Sequence, residues 1–117
     1  MDMHELGVVF YVVKDVKQVA EENAVEKVAS VTLQIGEVSG IVHEYLIDCW
    51  NWARKKEPAM EEAELFIKPI DAVSFCEDCE QEYPTVQYAK ICPHCGSEHT
   101  YLLRGNEFLI KEIGVYD

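Results

Sequence analysis

The chain has 117 residues, of which 49% are hydrophobic and 27% are charged, and its formal net charge is −12. This composition predicts one folded domain, or a small domain carrying a metal-clipped module, and argues against intrinsic disorder. The negative charge argues against nucleic acid as a partner, because affinity for a phosphate backbone comes largely from lysine and arginine. The sequence shows neither a secretory signal nor an apolar run of the roughly twenty residues that span a bilayer, so we expect a cytoplasmic protein with no membrane partner.

The first predicted element is an amphipathic helix from Met1 to about Asn23. Apolar residues recur there at helical spacing, with charged residues between them, at Leu6, Val9, Val13, Val16 and Ala20. The segment 8–13 is β-branched and aromatic, and its local propensity favours a strand. The longer periodicity favours the helix.

Three strands and a second helix complete a predicted α/β body. The strands are expected at 31–36, 65–70 and 108–113. The second helix is expected to have Ser39 as its N-cap and to end near Lys56, because Pro58 prevents continuation. Its predicted apolar face contains Val42, Tyr45, Leu46, Cys49, Trp50 and Ala53. Trp50 and Trp52 are expected on different faces of this helix, so one belongs to the core and the other could mark a partner surface.

Two C-x2-C pairs, separated by twelve residues, form the strongest pattern in the chain: Cys76 with Cys79, and Cys92 with Cys95. Two such turns supply four sulfurs at the corners of a tetrahedron, the closed arrangement that structural zinc prefers. Disulfides are disfavoured in a chain without an export signal. Iron bound by four thiolates is the chemical alternative, because the spacing does not separate the two ions.

The cysteines are predicted to form an insertion in the α/β body. Tyr83 and Val86 are the apolar residues of a short β-ribbon between the pairs, and 101–103 follows the second pair. A ribbon this small has little core, so the metal must supply most of its folding energy. Because sheet-forming segments lie on both sides, we predict an α/β domain of 1–74 with 104–117, and a metal-binding domain of 75–103.

Several short motifs occur in a specific order along nearly the whole chain. They are Met3-His4-Glu5-Leu6, Ile35-Gly36-Glu37, the two cysteine pairs with Gly96-Ser97, and Gly105-Asn106-Glu107. In this order and spacing the chain resembles the HypA family of nickel metallochaperones, which serve hydrogenase maturation and in some organisms urease maturation. The resemblance implies an α+β fold, with a three-stranded sheet that has two helices on one side and an inserted zinc-ribbon-like module.

The resemblance also implies how the protein works. It predicts a structural zinc that tunes a nickel site, with nickel as the transported cargo. The implied partners are a HypB-type GTPase and hydrogenase maturation and client proteins, for a chain that is a monomer or a weak homodimer.

His4 and Glu5 are the candidate nickel residues. Square-planar Ni(II) prefers nitrogen donors, and a chain start offers an amine, backbone amides and an imidazole close together. A single histidine beside a glutamate is more often solvated surface, so this assignment depends on the resemblance. The family motif begins at the first residue, whereas Met1-Asp2 precede it here. Either translation begins at Met3, or the site uses imidazole and backbone groups in another geometry.

The other histidines have weaker assignments. His43 is predicted to be a surface or capping residue, and His94 a replacement or outer-sphere donor near the cysteines. His99 could approach the nickel site if the metal module folds towards the N-terminus.

Two other functions stay open on the sequence alone. One is a zinc-ribbon adaptor that binds only protein, and the other is a rubredoxin-like electron carrier with an iron-tetrathiolate centre. An enzyme is not expected, because there is no nucleophile–base pair, no phosphate loop and no open metal position.

Overall fold

The computed structural model describes residues 3–116 and has an α+β fold, as predicted. Its helices are α1 (Met3–Glu22), α2 (His43–Ala53) and α3 (Thr85–Tyr88), with 3-10 turns at Arg54–Lys56 and Pro58–Met60. Its strands are β1 (Val28–Gly36), β2 (Glu64–Ile70), β3 (Val73–Cys76), β4 (Glu82–Pro84), β5 (Thr100–Arg104) and β6 (Phe108–Val115). They form two three-stranded sheets, in the orders β2-β1-β6 and β4-β3-β5. Pro69 lies in the edge strand β2, where its missing N–H is tolerated.

Helix α1 confirms the prediction from apolar periodicity, although residues 8–13 have local strand propensity. Val9, Val12 and Val16 are each at most 1% exposed, and the helix packs against α2. It ends where the side-chain amide of Asn23 donates to the carbonyl of Val19 at 2.8 Å. Burial of one apolar stripe therefore outweighs the modest helix propensity of its valines.

Helix α2 begins later than predicted. Its N-cap is Val42, not Ser39, and no side chain of its own turn caps it. The Glu5 carboxylate on α1 accepts the Val42 N–H at 3.5 Å instead. Val42 and Tyr45 are 45% and 47% exposed, so the start of the helix lies at the surface. The prediction that these two residues belong to the buried face is wrong.

The buried stripe of α2 is narrower than the sequence pattern. It consists of Leu46, Cys49, Trp50 and Ala53. Trp50 donates its indole N–H to the carbonyl of Ala63 at 3.0 Å, which satisfies the polar atom of a buried ring. Trp52 is 40% exposed, so the prediction that the two tryptophans occupy different faces is confirmed.

The chain divides into two compact units. The second unit comprises 34–40 and 69–108, and the remaining described residues form the first. The predicted domain limits at 75 and 103 stay a prediction.

The sheet of the second unit was only partly predicted. Strand β3 pairs antiparallel with β4, with Ser74 opposite Tyr83, and antiparallel with β5 on its other edge. Tyr83 is buried and packs with the cysteines, as expected for a ribbon core. Val86 lies in α3, where it is 60% exposed, so its predicted place in the β-ribbon is wrong.

Two of the motifs described above lie side by side in the second unit. The N–H of Gly36 donates to the Glu107 carbonyl, and the N–H of Val38 donates to the Gly105 carbonyl, both at 2.8 Å. A Cβ atom on Gly36 would lie 2.0 Å from the Gly105 carbonyl oxygen. Gly105 itself has a φ of +116° and faces the backbone of Ala72. The two glycines are therefore required by close backbone approach.

We expect Gly36→Ala to lower the free energy of unfolding by about 2–4 kcal/mol, because the new methyl group overlaps backbone atoms that have no room to move. Urea unfolding of the zinc-loaded chain measures the loss. Gly7→Ala is the control, since a Cβ there would meet nothing within 4 Å and alanine favours the helix. Equal losses in the two variants would contradict the steric explanation.

Candidate metal centre

The four paired cysteines converge on one point. Their Sγ atoms all lie within 4.8 Å of one another. The Sγ atoms of Cys76 and Cys95 are 3.6 Å apart, as are those of Cys79 and Cys92. A tetrahedron with metal–sulfur bonds of about 2.3 Å has edges of about 3.8 Å, whereas a disulfide requires about 2.05 Å. The geometry therefore matches a four-cysteine metal site and excludes two disulfides.

Both cysteine turns have the same backbone hydrogen bonds. In each, the N–H of the first cysteine (Cys76 or Cys92) donates at 3.0 Å to the carbonyl five residues later. The N–H four residues later donates at 2.8 Å to the carbonyl of that first cysteine. The residue that follows the second cysteine is left-handed in both turns, with φ of +57° at Glu80 and +75° at Gly96. This reversal directs both thiols of a turn to the same centre.

The four thiols differ in exposure. Cys76 and Cys92 are buried, Cys79 is intermediate and Cys95 is exposed. The buried pair packs with Tyr83, whose hydroxyl donates to the carbonyl of Ala89 at 2.8 Å.

Backbone donors and burial separate the acidities of two of these thiols. The N–H of Cys79, with that of Asp78, lowers the pKa of Cys76 to about 7 against the opposing effect of burial. Burial, followed by the neighbouring Cys92 thiol, raises the pKa of Cys79 to about 12. Cys76 is therefore partly a thiolate at neutral pH without a metal, whereas Cys79 loses its proton when a metal binds.

Metal occupancy should therefore fall with decreasing pH, and more steeply below pH 7 than above it. Above about pH 7 the Cys76 thiol has already lost its proton, and below it one more proton must be displaced for each ion bound. Zinc release from pH 8 to pH 4, followed with a chromogenic zinc indicator, measures this. A fully loaded site at strongly acidic pH would contradict a plain four-thiolate centre.

A polar cluster that the sequence analysis missed joins the two turns. Asp78 accepts a short hydrogen bond from the Ser97 hydroxyl, and its Oδ2 lies 3.0 Å from Nδ1 of His99. The Ser97 hydrogen bond, and then His99, lowers the pKa of the Asp78 carboxyl. His99 is thus held against Asp78, and its predicted approach to a nickel site stays a prediction.

The other predicted metal residues lie in the first turn of α1. Nδ1 of His4 is 3.0 Å from Oε2 of Glu5, and the same oxygen accepts the Val42 N–H. The Glu5 side chain is 2% exposed, whereas that of His4 is 62% exposed. In the neutral tautomer in which the Nδ1–H of His4 donates a hydrogen bond to Glu5, the ring nitrogen with a lone pair for a metal is Nε2. The buried carboxylate thus orients the imidazole, as carboxylates commonly do for metal-binding histidines.

Residues 1 and 2, which contain the predicted amine donor, lie outside the described residues.

A family model described as "Hydrogenase/urease nickel incorporation, metallochaperone, hypA" matches residues 3–115. The chain belongs to the HypA family.

Relatives of similar length support this membership. A hydrogenase maturation factor HypA from Chlorobium phaeobacteroides is 34% identical over 113 residues, which are 97% of this chain and 99% of that protein. A HypA from Dehalococcoides mccartyi is 32% identical over 115 residues, covering 98% of this chain and 96% of that protein.

Solved HypA structures share the fold. The solution structure of the Ni metallochaperone HypA from Helicobacter pylori superposes with a TM-score of 0.70 at 22% identity, covering 95% of this chain and 96% of that one. A second HypA solution structure gives 0.73 at 23% identity, covering 99% and 98%.

The HypA assignment confirms the predicted function class. The chain is a member of a nickel metallochaperone family of hydrogenase maturation, and it carries a four-cysteine metal site. Membership in a family of maturation factors also confirms that it is not an enzyme. Neither the adaptor nor the electron-carrier alternative has support from these relatives. Within residues 3–116, none of the helices combines the length and hydrophobicity that crossing a membrane would need.

Proposed function

We propose that this HypA protein binds Ni(II) through His4 and delivers it for the maturation of hydrogenase, or of urease where that enzyme is present. Cys76, Cys79, Cys92 and Cys95 hold a structural zinc. The observation that carries the proposal is the exposed His4 imidazole, held through Nδ1 by the buried Glu5 carboxylate. Such an imidazole is pre-oriented for a metal and still reachable from solvent.

The two ions suit different donor sets. Four thiolates close the tetrahedral sphere of zinc and leave no open position for a cargo ion. Nickel in square-planar geometry favours nitrogen ligands, which the imidazole of His4 and nearby backbone amides supply. A cargo ion bound by few protein groups is also easier to transfer than one inside a closed thiolate cage.

Glu5 acts on nickel mainly through His4. Its carboxylate is 2% exposed and already accepts the Val42 N–H, so direct coordination would require it to leave α2. The charge of the carboxylate still favours a nearby cation, and its hydrogen bond orients the imidazole.

The proposal also names the protein partners, the oligomeric state and the compartment. A HypB-type GTPase is the proposed partner in transfer, with hydrogenase maturation and client proteins as receivers, and the chain acts as a monomer or weak homodimer. The cytoplasm is the proposed compartment, because four reduced thiols are required for the zinc site. Membership in a hydrogenase maturation family supports partners in hydrogenase maturation.

Nickel titration of the zinc-loaded protein tests the proposal. After unbound metal is removed, metal analysis should find about one nickel per chain in addition to one zinc, with a nickel dissociation constant in the micromolar range or tighter, about 1 μM. Nickel that displaces zinc one for one would place the cargo in the thiolate site. A zinc-loaded chain that retains no nickel would contradict nickel delivery and favour a protein adaptor.

A further inference from the structure

Two aromatic side chains contact each other on the outer surface of the α1–α2 helix pair. The ring centroids of Phe10 and Trp52 are 6.2 Å apart with planes inclined by 59°. The two residues are 49% and 40% exposed. Nζ of Lys56 lies 4.6 Å from the centroid of the Trp52 ring, within cation–π range.

Positive charge concentrates around this aromatic pair. Of the ten lysine and arginine residues of the chain, five lie in the segments 14–17 and 54–56. Lys14 is one helical turn beyond Phe10 and is exposed, as is Lys56. Lys17 pairs with Glu57 at 3.5 Å, but within residues 3–116 no salt bridge uses Lys14 or Lys56. Three carboxylates belong to or adjoin these segments, Asp15, Asp48 and Glu57, so five cations leave a small positive excess here in a chain of net charge −12.

The aromatic pair is not needed to fill the interior. The buried stripes of α1 and α2 are formed by other residues, including Val9, Val16 and Trp50, which are at most 1% exposed. A phenylalanine and a tryptophan left nearly half in water forgo the free energy that burial would provide. Exposed aromatic rings in contact, bordered by cations, have the composition of the core of a protein interface.

We propose that Phe10, Trp52, Lys14 and Lys56 form a docking patch for a partner protein, through a segment that carries apolar side chains beside carboxylates. The apolar groups cover the two rings, and the carboxylates pair with the lysines. Local charge decides the pairing, because ionic screening reduces charge interactions beyond about 8 Å in physiological salt. A nucleic acid fits poorly, since two lysines neutralise few phosphates. The proposal does not depend on nickel binding.

A synthetic acidic peptide tests the patch on the zinc-loaded full chain. The probe is a helix-forming peptide with leucine and phenylalanine at i, i+3, i+4 and i+7 and glutamate at most other positions. Trp50 is buried and Trp52 is exposed, so a change in tryptophan fluorescence on titration reports on the patch. We expect saturable binding, at least about tenfold tighter than that of a matched peptide with lysine in place of glutamate.

Matched variants separate the patch from non-specific adhesion. Phe10→Ala and Lys56→Glu should each weaken binding by about fivefold or more. Phe66→Ala and Lys68→Glu are the controls on β2, because Phe66 is also 49% exposed and Lys68 gives the same charge change. They should alter binding by less than about twofold.

Four results would overturn the proposal: no fluorescence change up to about 1 mM peptide, equal binding of the acidic and basic peptides, equal losses in the controls, or a dimer that Phe10→Ala dissociates. The last would make a second copy of the chain the occupant, and sedimentation of the chain alone detects it.

Discussion

Replacing Cys76 or Cys92 with serine should abolish stoichiometric zinc and unfold the segment from about residue 75 to residue 103, while the helices of the first unit stay folded. The buried apolar cluster of that segment is only Cys76, Tyr83 and Cys92, with Cys79 packed against it, so the ion is its main source of stability. A structural zinc contributes about 10–16 kcal/mol of apparent binding free energy at neutral pH, more than so small a core supplies. Metal analysis and residue-resolved hydrogen exchange measure the two effects.

Cys49→Ala provides the matched control for this experiment. Cys49 is buried in α2, in the first unit, and takes no part in the four-cysteine cluster. The Cys49→Ala variant should keep one zinc per chain and unchanged hydrogen exchange in residues 75–103. Loss of the whole far-ultraviolet circular dichroism signal in the Cys76 or Cys92 variant would show that the segment does not unfold separately.

His4→Ala should remove nickel binding and leave zinc untouched. We expect the nickel affinity to fall by at least about 100-fold, because a square-planar site loses its only side-chain nitrogen donor. His43→Ala is the control, since His43 begins α2 and is partly exposed without belonging to the proposed site. Calorimetric nickel titration of the two zinc-loaded variants measures the difference in their nickel affinity. Unchanged nickel affinity in His4→Ala would place the site elsewhere, with His99 the next residue to replace.

Two further variants in the same nickel titration define the ligands. Removal of Met1 and Asp2 should tighten binding and move the absorption spectrum towards square-planar nickel, because the new amine adjoins His4. Glu5→Gln should weaken binding by about tenfold while zinc content stays the same, as expected when a carboxylate orients a ligand. Identical spectra for the truncated and full-length proteins would show that the amine is not a ligand.

The sequence was sufficient where one pattern extends over many residues or has strict spacing. Helix α1 repeats its apolar stripe over twenty residues, so the period outweighs the strand propensity of its valines. The paired cysteines were found for a similar reason, because tetrahedral coordination requires a turn of fixed length on each side.

The sequence failed where a distant residue decides the local structure. Helix α2 has Val42 as its N-cap, and the N–H of Val42 is accepted by the carboxylate of Glu5, thirty-seven residues earlier in the chain. Propensity near Ser39 contains no information about that contact. Val86 was misplaced because its apolar character does not show that Thr85–Tyr88 forms a helical turn with that side chain in water.

The unequal exposure of the four thiols has a chemical consequence for how the ion can be lost. An incoming chelator or an oxidant must reach sulfur from solvent, and Cys95 is exposed whereas Cys76 and Cys92 are buried. We therefore expect ligand exchange to begin at Cys95, and sulfenic acid formation there would remove one donor while the other three still hold the ion. The centre is thus shielded on one side and open to attack on the other.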